Sequence, residues 1–171
     1  LASSMGRCFI GKLMAPAHPV SVGAWITLGE PHIAEFSSRM GFDFVVIDAQ
    51  HGLIDDHSCL ALLRAVGLGP AAPVVRCASA DAAHIGRMLD FGAEALIVPM
   101  IETAAEVREL VRATRYAPEG KRSFGPTRVS LQYQDYYREG ARAARIFPMI
   151  ETRAALEEVE AIAAIDGVAG L

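Results

Sequence analysis

Three polar side chains follow directly on a short apolar run and are the first candidates for chemistry. Asp48, Gln50 and His51 come after Phe44–Ile47, which is rich in β-branched residues and lies between glycines. Such a run is typical of a strand buried on both faces, and ligand sites gather at the carboxyl ends of parallel strands. An imidazole suits proton transfer at neutral pH, and Asp48 could hold one ring nitrogen protonated. The alternatives are a loop histidine satisfied by backbone and an aspartate that only caps the turn.

Arg76 ends a second apolar run, Ala72–Val75, and again falls at the expected carboxyl end of a strand. Its planar guanidinium suits a carboxylate or a developing enolate oxygen, and the alternative is a salt bridge across the same end of the sheet. Trp25, the only tryptophan, ends the apolar part of the first predicted strand. We expect it to pack in the core or, as the second interpretation, to form a pocket wall.

Several carboxylates are candidate metal ligands. Glu102 and Glu151 both follow the sequence Pro-Met-Ile, and either would give Mg²⁺ or Mn²⁺ a hard oxygen ligand. One carboxylate rarely holds a metal alone, so a second ligand is required. His57 with Asp55 and Asp56 offers another metal hypothesis, but we expect Asp56 to cap a helix instead.

The elements that would position these residues alternate along the chain between strands and helices. Strands are predicted at 22–27, 44–48, 73–77, 95–100 and 146–150, with a weak fifth element near 122–125 before the last of these and a seventh strand beginning at 168. Helices are predicted at 31–40, 57–66, 81–89, 104–115, 132–144 and 154–165. This alternation predicts parallel pairing and one domain over residues 1–171. About six and a half units are present, so the sequence predicts a (β/α)8 barrel that is incomplete in this chain.

A weak internal repeat supports this architecture. Pro99-Met-Ile-Glu-Thr and Pro148-Met-Ile-Glu-Thr each stand where an apolar strand gives way to an amphipathic helix. The repeat indicates that one structural solution for the strand-to-helix junction is used twice.

The composition of the chain argues for a globular protein and against some classes of partner. The 171 residues are 52% hydrophobic and 21% charged, which is typical of a globular protein, and the net charge of −4 argues against nucleic acid as a partner. The three cysteines are odd in number and lack CxxC spacing, which favours reduced thiols and a cytoplasmic location. No apolar run approaches the ~18 residues of a membrane span.

Taken together, these segments resemble the HpcH/HpaI aldolase family, the metal-dependent class II pyruvate aldolases that act on acids such as 4-hydroxy-2-oxoheptanedioate and 2-dehydro-3-deoxyglucarate. The resemblance runs from about Val22 to the last residue and is carried by the segments 23–25, 41–52, 73–76, 98–100, 115–128, 149–152 and 167–171. It implies a TIM barrel of the phosphoenolpyruvate/pyruvate-binding type that assembles as a homo-hexamer. It also implies a small oxo-acid substrate, with neither nucleic acid nor membrane as a partner.

The resemblance assigns roles to the candidate residues. His51 matches the catalytic base, oriented by Asp48, and Arg76 matches the residue that holds the oxo-acid and stabilises its enolate. Trp25 and Gln50 would then line the substrate pocket. Glu151 matches the first ligand of a divalent metal, Mg²⁺, Mn²⁺ or Co²⁺, whereas Glu102 falls where the family has no ligand.

Three departures from the family pattern bear on this assignment. Many members have Glu and others have Gln at the position of Gln50, a difference that bears on contacts with metal-bound water. Some members have Gln at the position of Met149. The second metal ligand is an Asp in a Gly-Pro-x-Asp segment, which would lie beyond Leu171.

The expected activity is retro-aldol cleavage of a 4-hydroxy-2-oxo acid to pyruvate and an aldehyde. The alternatives are a CoA-ester lyase of the same superfamily and a non-catalytic relative that binds an oxo-acid.

Overall fold

The sheet consists of five parallel strands in the order in which they occur along the chain. The computed structural model describes residues 20–132, 135–140 and 144–171. Its strands are β1 Gly23–Ile26, β2 Phe44–Asp48, β3 Ala72–Arg76, β4 Ala95–Ile101 and β5 Arg145–Ile150. Each strand pairs with the next one, and consecutive parallel pairing is the pattern of an arc of a (β/α) barrel.

Helices connect the strands and cover one face of the sheet. They are α1 Pro31–Arg39, α2 Asp56–Val66, α3 Ala82–Phe91 and α4 Ala104–Thr114, followed after β5 by α5 Arg153–Glu157 and α6 Val159–Ala163. A 3-10 turn at Val129–Leu131 and a π-helical turn at Tyr136–Gly140 lie between α4 and β5. No helix within the described ranges is long and apolar enough to cross a membrane.

Side chains alternate between the two faces of each strand, and this alternation decides where the site can form. Val45 and Ile47 of β2 belong to the main core together with buried residues of the helices. Phe44 and Val46 belong to a second cluster, which also includes Val74 of β3 and faces away from the helices. Since successive strand side chains point to opposite faces, Asp48 follows Val46 on the inner face of the arc.

Aspartates cap α2 and α3, and the cap predicted for α2 is wrong by one residue. The Asp81 carboxylate accepts hydrogen bonds from the backbone N–H groups of Ala83 and His84, as an N-cap does. At α2 the cap is Asp55 rather than Asp56, because Asp55 and Ser58 form a reciprocal capping box.

The weak fifth strand predicted near 122–125 is wrong, since this segment carries no strand. Arg122 is instead drawn inward, where its guanidinium binds Asp90 and the Tyr136 hydroxyl. The strand predicted as the sixth therefore pairs directly with β4 and is β5. The segment predicted to begin a seventh strand forms only a single parallel bridge, between Val168 and Ile146 of β5. This segment therefore lies next to β5, in the place of a sixth strand.

Two helix predictions need revision. Of the helix predicted at 132–144, residues 133–134 and 141–143 lie outside the described residues, and the described part holds only the π-helical turn. The helix predicted at 154–165 is divided into α5 and α6 by a break at Glu158.

Candidate functional site

A buried ion pair lies at the carboxyl ends of β2 and β3. The parallel register aligns Asp48 with Arg76, so both side chains emerge from neighbouring strands at the same height. Arg76 donates from Nε to Asp48 Oδ1 at 2.9 Å and from Nη2 to Oδ2 at 2.5 Å. The two side chains are only 16% and 2% exposed, respectively. This bidentate geometry is the strong form of the arginine–carboxylate contact and fixes the orientation of the guanidinium plane.

Trp25 on β1 completes one side of this pair. Its indole Nε1 donates to Asp48 Oδ2 at 3.3 Å, and the Arg76 guanidinium lies 5.1 Å from the centre of its rings. The residue is 50% exposed, so the prediction that it packs in the core is wrong. Its place beside the ion pair corresponds to the second interpretation, a wall of the inner face.

The ion pair remains charged over the whole range of physiological pH. Burial would raise the pKa of Asp48, but hydrogen bonds from Arg76, the backbone of His51 and Trp25 lower it to about 2. The hydrogen bond to Asp48 raises the pKa of Arg76 against the opposing effect of burial, and the charges of Asp48 and Glu151 raise it further. Glu151 therefore lies close enough to act electrostatically on the guanidinium.

The loop after β2 is also held by Asp48. Its Oδ1 accepts hydrogen bonds from the backbone N–H groups of Gln50 and His51, both at 3.1 Å, while its carbonyl accepts one from Gly52. Asp48 thus fixes the main chain of His51 and not the imidazole ring, which differs from the predicted contact. The imidazole is exposed and has no hydrogen-bond partner among the described residues.

Gln50 contributes a polar atom without a partner. Its Oε1 is buried and accepts no hydrogen bond from the residues that the structure describes. Burying an amide oxygen without a hydrogen-bond partner costs free energy of folding, and a bound ligand or water would supply the missing hydrogen bond.

Glu151 follows β5 and is oriented by β4. The backbone N–H of Met100 donates to Glu151 Oε2 at 2.8 Å. Met100 has a φ of +57°, a left-handed conformation that methionine rarely adopts. The sequence does not predict this contact, because nothing in the residue type of Met100 indicates a left-handed backbone.

The residues present fit part of a divalent metal site. Glu151 is a hard oxygen ligand of the kind that Mg²⁺ and Mn²⁺ prefer, but one carboxylate is too few. Within the described ranges no three His, Cys, Asp or Glu side chains come together to hold a metal ion. Glu102 is exposed, and its backbone N–H is bound by Glu106 in the cap of α4. His57 lies in the first turn of α2, so the His57 metal hypothesis is not supported.

A separate groove lies along the outer side of α3. It has a volume of about 720 Å³ and is lined by small and charged residues that include Gly86, Asp90 and Arg122. None of the six predicted site residues lines it, so it is distinct from the inner-face site.

Comparisons with known proteins identify the family to which the sequence is similar. The model of the HpcH/HpaI aldolase/citrate lyase family matches residues 21–171. The 4-hydroxy-2-oxovalerate aldolase of Novosphingobium aromaticivorans is 40% identical over 156 residues, which are 90% of this chain and 60% of that protein. The 4-hydroxy-2-oxo-heptane-1,7-dioate aldolase of Salmonella arizonae is 36% identical over 154 residues, 88% of this chain and 59% of that protein.

A solved structure has the same architecture. A crystal structure of an HpcH/HpaI aldolase/citrate lyase family protein from Burkholderia cenocepacia is 30% identical, with a TM-score of 0.83. The match covers 93% of this chain and 65% of that one. The chain therefore spans about three fifths of the length of the relatives it matches.

Proposed function

We propose that this chain, which belongs to the HpcH/HpaI aldolase/citrate lyase family, is part of a lyase that cleaves a 4-hydroxy-2-oxo acid to pyruvate and an aldehyde. One observation carries the proposal: the guanidinium of Arg76, held by Asp48, lies at the same end of the arc as the exposed imidazole of His51 and the carboxylate of Glu151. The names of the two curated relatives support the substrate class, since both describe 4-hydroxy-2-oxo acid aldolases.

Arg76 is the anion-binding group in this proposal. Asp48 occupies Nε and one hydrogen of Nη2, and Nη1 has no hydrogen-bond partner among the described residues. Nη1 would donate to the oxo-acid and then to the oxygen on which negative charge develops as pyruvate enolate leaves. Because the guanidinium is already oriented, little reorganisation is needed when that charge appears.

His51 is the base. Its imidazole would take the proton from the 4-hydroxyl group, the electron pair of the C3–C4 bond would pass to C3, and the aldehyde would separate from the enolate. Protonation of the enolate at C3 then gives pyruvate. The exposed position of His51 allows this proton to exchange with water, and its backbone bond to Asp48 keeps the loop in place.

The reaction would also use a divalent metal, for which Glu151 supplies one ligand. When bound, Mg²⁺, Mn²⁺ or Co²⁺ would act as a Lewis acid toward the oxygens of the 2-oxo acid. Gln50, in the loop after β2, has a buried Oε1 without a hydrogen-bond partner among the described residues, and we assign this oxygen to substrate or to ordered water. Trp25 forms the wall behind Arg76.

The proposal is tested by pyruvate release from a panel of 4-hydroxy-2-oxo acids, measured on the complete protein with and without a chelator. We expect chelation to abolish release. His51→Ala should lower kcat about 10²- to 10⁴-fold, and Arg76→Lys about 10²- to 10³-fold. His57→Ala is the matched control, because it removes an exposed histidine on α2 and should leave kcat unchanged. Full activity after metal removal, or in the His51 variant, would contradict the mechanism.

The same panel separates the two alternatives. Cleavage of an acyl-CoA ester without cleavage of any oxo-acid would identify a CoA-ester lyase, in line with the citrate lyases of this family. Pyruvate that stabilises the protein against heat without turnover of any compound would identify a non-catalytic relative.

The proposal also covers the oligomeric state of the protein and its cellular compartment. The exposed face of α1 carries Ile33 and Phe36, and exposed apolar side chains on one helix face favour an interface in a homo-oligomer, which we propose is a hexamer. Cys59 and Cys77 are buried free thiols, which fits a reducing compartment such as the cytoplasm. Light scattering on the complete protein tests the assembly.

A further inference from the structure

β4 contains one residue more than the strand beside it. Val98 pairs with Pro148 and Ile101 pairs with Ile150, so three steps along β4 correspond to two along β5. The extra residue makes a β-bulge that contains Pro99 and Met100. Bulges of this kind often lie next to active sites, where they redirect a backbone or side-chain group.

The bulge releases one backbone N–H from the sheet. Pro99 has no N–H to donate, and Met100 turns into the left-handed region with a φ of +57°. The freed N–H of Met100 points to Glu151 and donates to Oε2 at 2.8 Å. The Met100 side chain is 63% exposed, so core packing of that side chain does not hold this conformation.

We propose that Met100 is a positioning residue whose left-handed backbone holds Glu151 ready for a divalent cation. The inference rests on the proposed function, in which Glu151 is a metal ligand. It deepens that function by assigning the orientation of the ligand to the bulge in β4, which no sequence motif indicates.

The bulge gives the Glu151 carboxylate a hydrogen-bond donor, the Met100 N–H, other than the guanidinium of Arg76. After the bidentate hydrogen bonds of Asp48, the nearby charge of Glu151 is a further cause that raises the pKa of Arg76, so the two groups attract each other. A carboxylate that turned to the guanidinium would occupy Nη1 and withdraw its own oxygens from a cation. With Oε2 bound to the Met100 N–H, Oε1 has no partner among the described residues and is free to coordinate.

The test compares two substitutions at Met100 in the complete, metal-stripped protein, with Mn²⁺ affinity measured by electron paramagnetic resonance. Met100→Gly keeps the N–H and adopts the left-handed conformation readily, so its affinity should stay within about twofold of the wild type. Met100→Val disfavours that conformation strongly and should weaken Mn²⁺ binding about 10- to 100-fold, the range found when partners of metal ligands are removed. Met40→Gly and Met40→Val are the controls, since Met40 is an exposed methionine with a φ of −83°.

The glycine variant distinguishes a backbone role from a side-chain role. Equal affinity in the valine variant and the wild type, or equal loss in the glycine and valine variants, would overturn the inference. If the valine variant does not fold, hydrogen exchange of the Met100 amide decides the question. That amide should exchange at least tenfold faster in Glu151→Ala than in wild type without metal, and unchanged exchange would overturn the inference.

These readouts do not depend on aldolase activity. Mn²⁺ affinity that follows the predicted order in a protein without lyase activity would support the bulge and contradict the proposed function. Lyase activity with a Mn²⁺ affinity that does not depend on residue 100 would support the proposed function and contradict the role of the bulge.

Discussion

At the scale of single residues, Asp48 organises the candidate site. One carboxylate receives Arg76, the indole of Trp25 and two backbone N–H groups of the following loop. Each contact favours its ionised form, and together they join three consecutive strands and the loop that carries His51. Asp48 therefore acts on both proposed catalytic groups, on the side chain of one and on the main chain of the other.

The low pKa of Asp48 predicts how stability depends on pH. A carboxyl whose pKa falls from 3.8 to about 2 on folding stabilises the protein at pH values above its unfolded pKa. By linkage the shift corresponds to roughly 2 kcal/mol, which is lost as the pH falls from about 4 to about 2. Asp48→Asn should therefore lower the free energy of unfolding by about that amount at pH 7 and by about half of it near pH 3.

Urea denaturation at a series of pH values checks this expectation. Asp166→Asn is the control, because its side chain is 93% exposed in a surface ion pair and should contribute little at any pH. A loss of stability in Asp48→Asn that is the same at pH 3 and pH 7 would show that the carboxyl is not held ionised.

The sequence predicts these residues better than it predicts their contacts. Asp48 and Arg76 could be identified because each ends a buried apolar run, and parallel strands bring such ends together. Which atoms meet could not be predicted: Asp48 binds the main chain of His51 where a bond to the ring was expected. The left-handed Met100 has no signal of its own, since the packing of β4 against β5 sets its conformation.

At the scale of elements, two glycines have opposite requirements, one inside α3 and one at its C-cap. Gly86 lies within the helix, and a Cβ there would meet no atom within 4 Å. Gly92 ends the helix with a φ of +104°, and a Cβ there would collide with the Arg128 guanidinium, which binds the Phe91 carbonyl. The first position tolerates alanine and the second requires glycine.

Substitution of both glycines by alanine makes a matched pair of variants. Gly86→Ala should raise the free energy of unfolding by about 0.5–1 kcal/mol, because alanine is the better helix former. Gly92→Ala should lower it by at least about 1 kcal/mol, because alanine is strained in the left-handed region. Thermal or urea unfolding of the two variants checks the signs, and a change of the same sign in both would contradict this account of α3.

The internal repeat has a simple structural meaning. Thr103 and Thr152 occupy equivalent places in the two Pro-Met-Ile-Glu-Thr segments, and both hydroxyls accept a backbone N–H as N-caps of the following helix. The predicted junction is confirmed at both copies. The copies differ in backbone, because only Met100 is left-handed, so a sequence repeat did not predict a repeat of conformation.

The weak fifth strand shows why some elements could not be predicted. Residues 122–125 carry few apolar residues, and their position is decided by one charged side chain that reaches α3. Local patterns report propensity and burial, whereas a long-range ion pair leaves no periodic signal. The strand β5 was predicted because its apolar run is continuous. It was numbered as the sixth strand because residues 122–125 had been counted as the fifth.

At the scale of the whole molecule, Arg122 joins two separate cores. Tyr116, Val129 and Tyr136 form a cluster apart from the main core. The Arg122 side chain is 1% exposed and lies over both tyrosine rings, at 4.8 Å and 5.5 Å, while it pairs with Asp90 of α3 at 2.5 Å. These contacts, together with the hydrogen bond from Arg128 to the Phe91 carbonyl, attach the segment after α4 to the helical layer.

Loss of Arg122 should be far more costly than loss of a surface charge. Arg122→Met leaves Asp90 without its partner and should reduce the free energy of unfolding by about 3–5 kcal/mol, as for other broken buried pairs. Arg122→Met combined with Asp90→Asn should recover part of that loss. A double-mutant cycle by urea denaturation measures the coupling, and strictly additive effects would show that the pair does not hold the two cores together.

The most direct test of the site is a crystal structure of the complete protein with Mn²⁺ and pyruvate, in which anomalous scattering locates the metal. We predict a Mn²⁺ peak in coordination distance of the Glu151 carboxylate, with pyruvate in hydrogen-bond reach of Arg76 Nη1 and the His51 ring facing its methyl carbon. A metal bound away from Glu151, or pyruvate bound outside the arc formed by the five strands β1 to β5, would contradict the proposed lyase site.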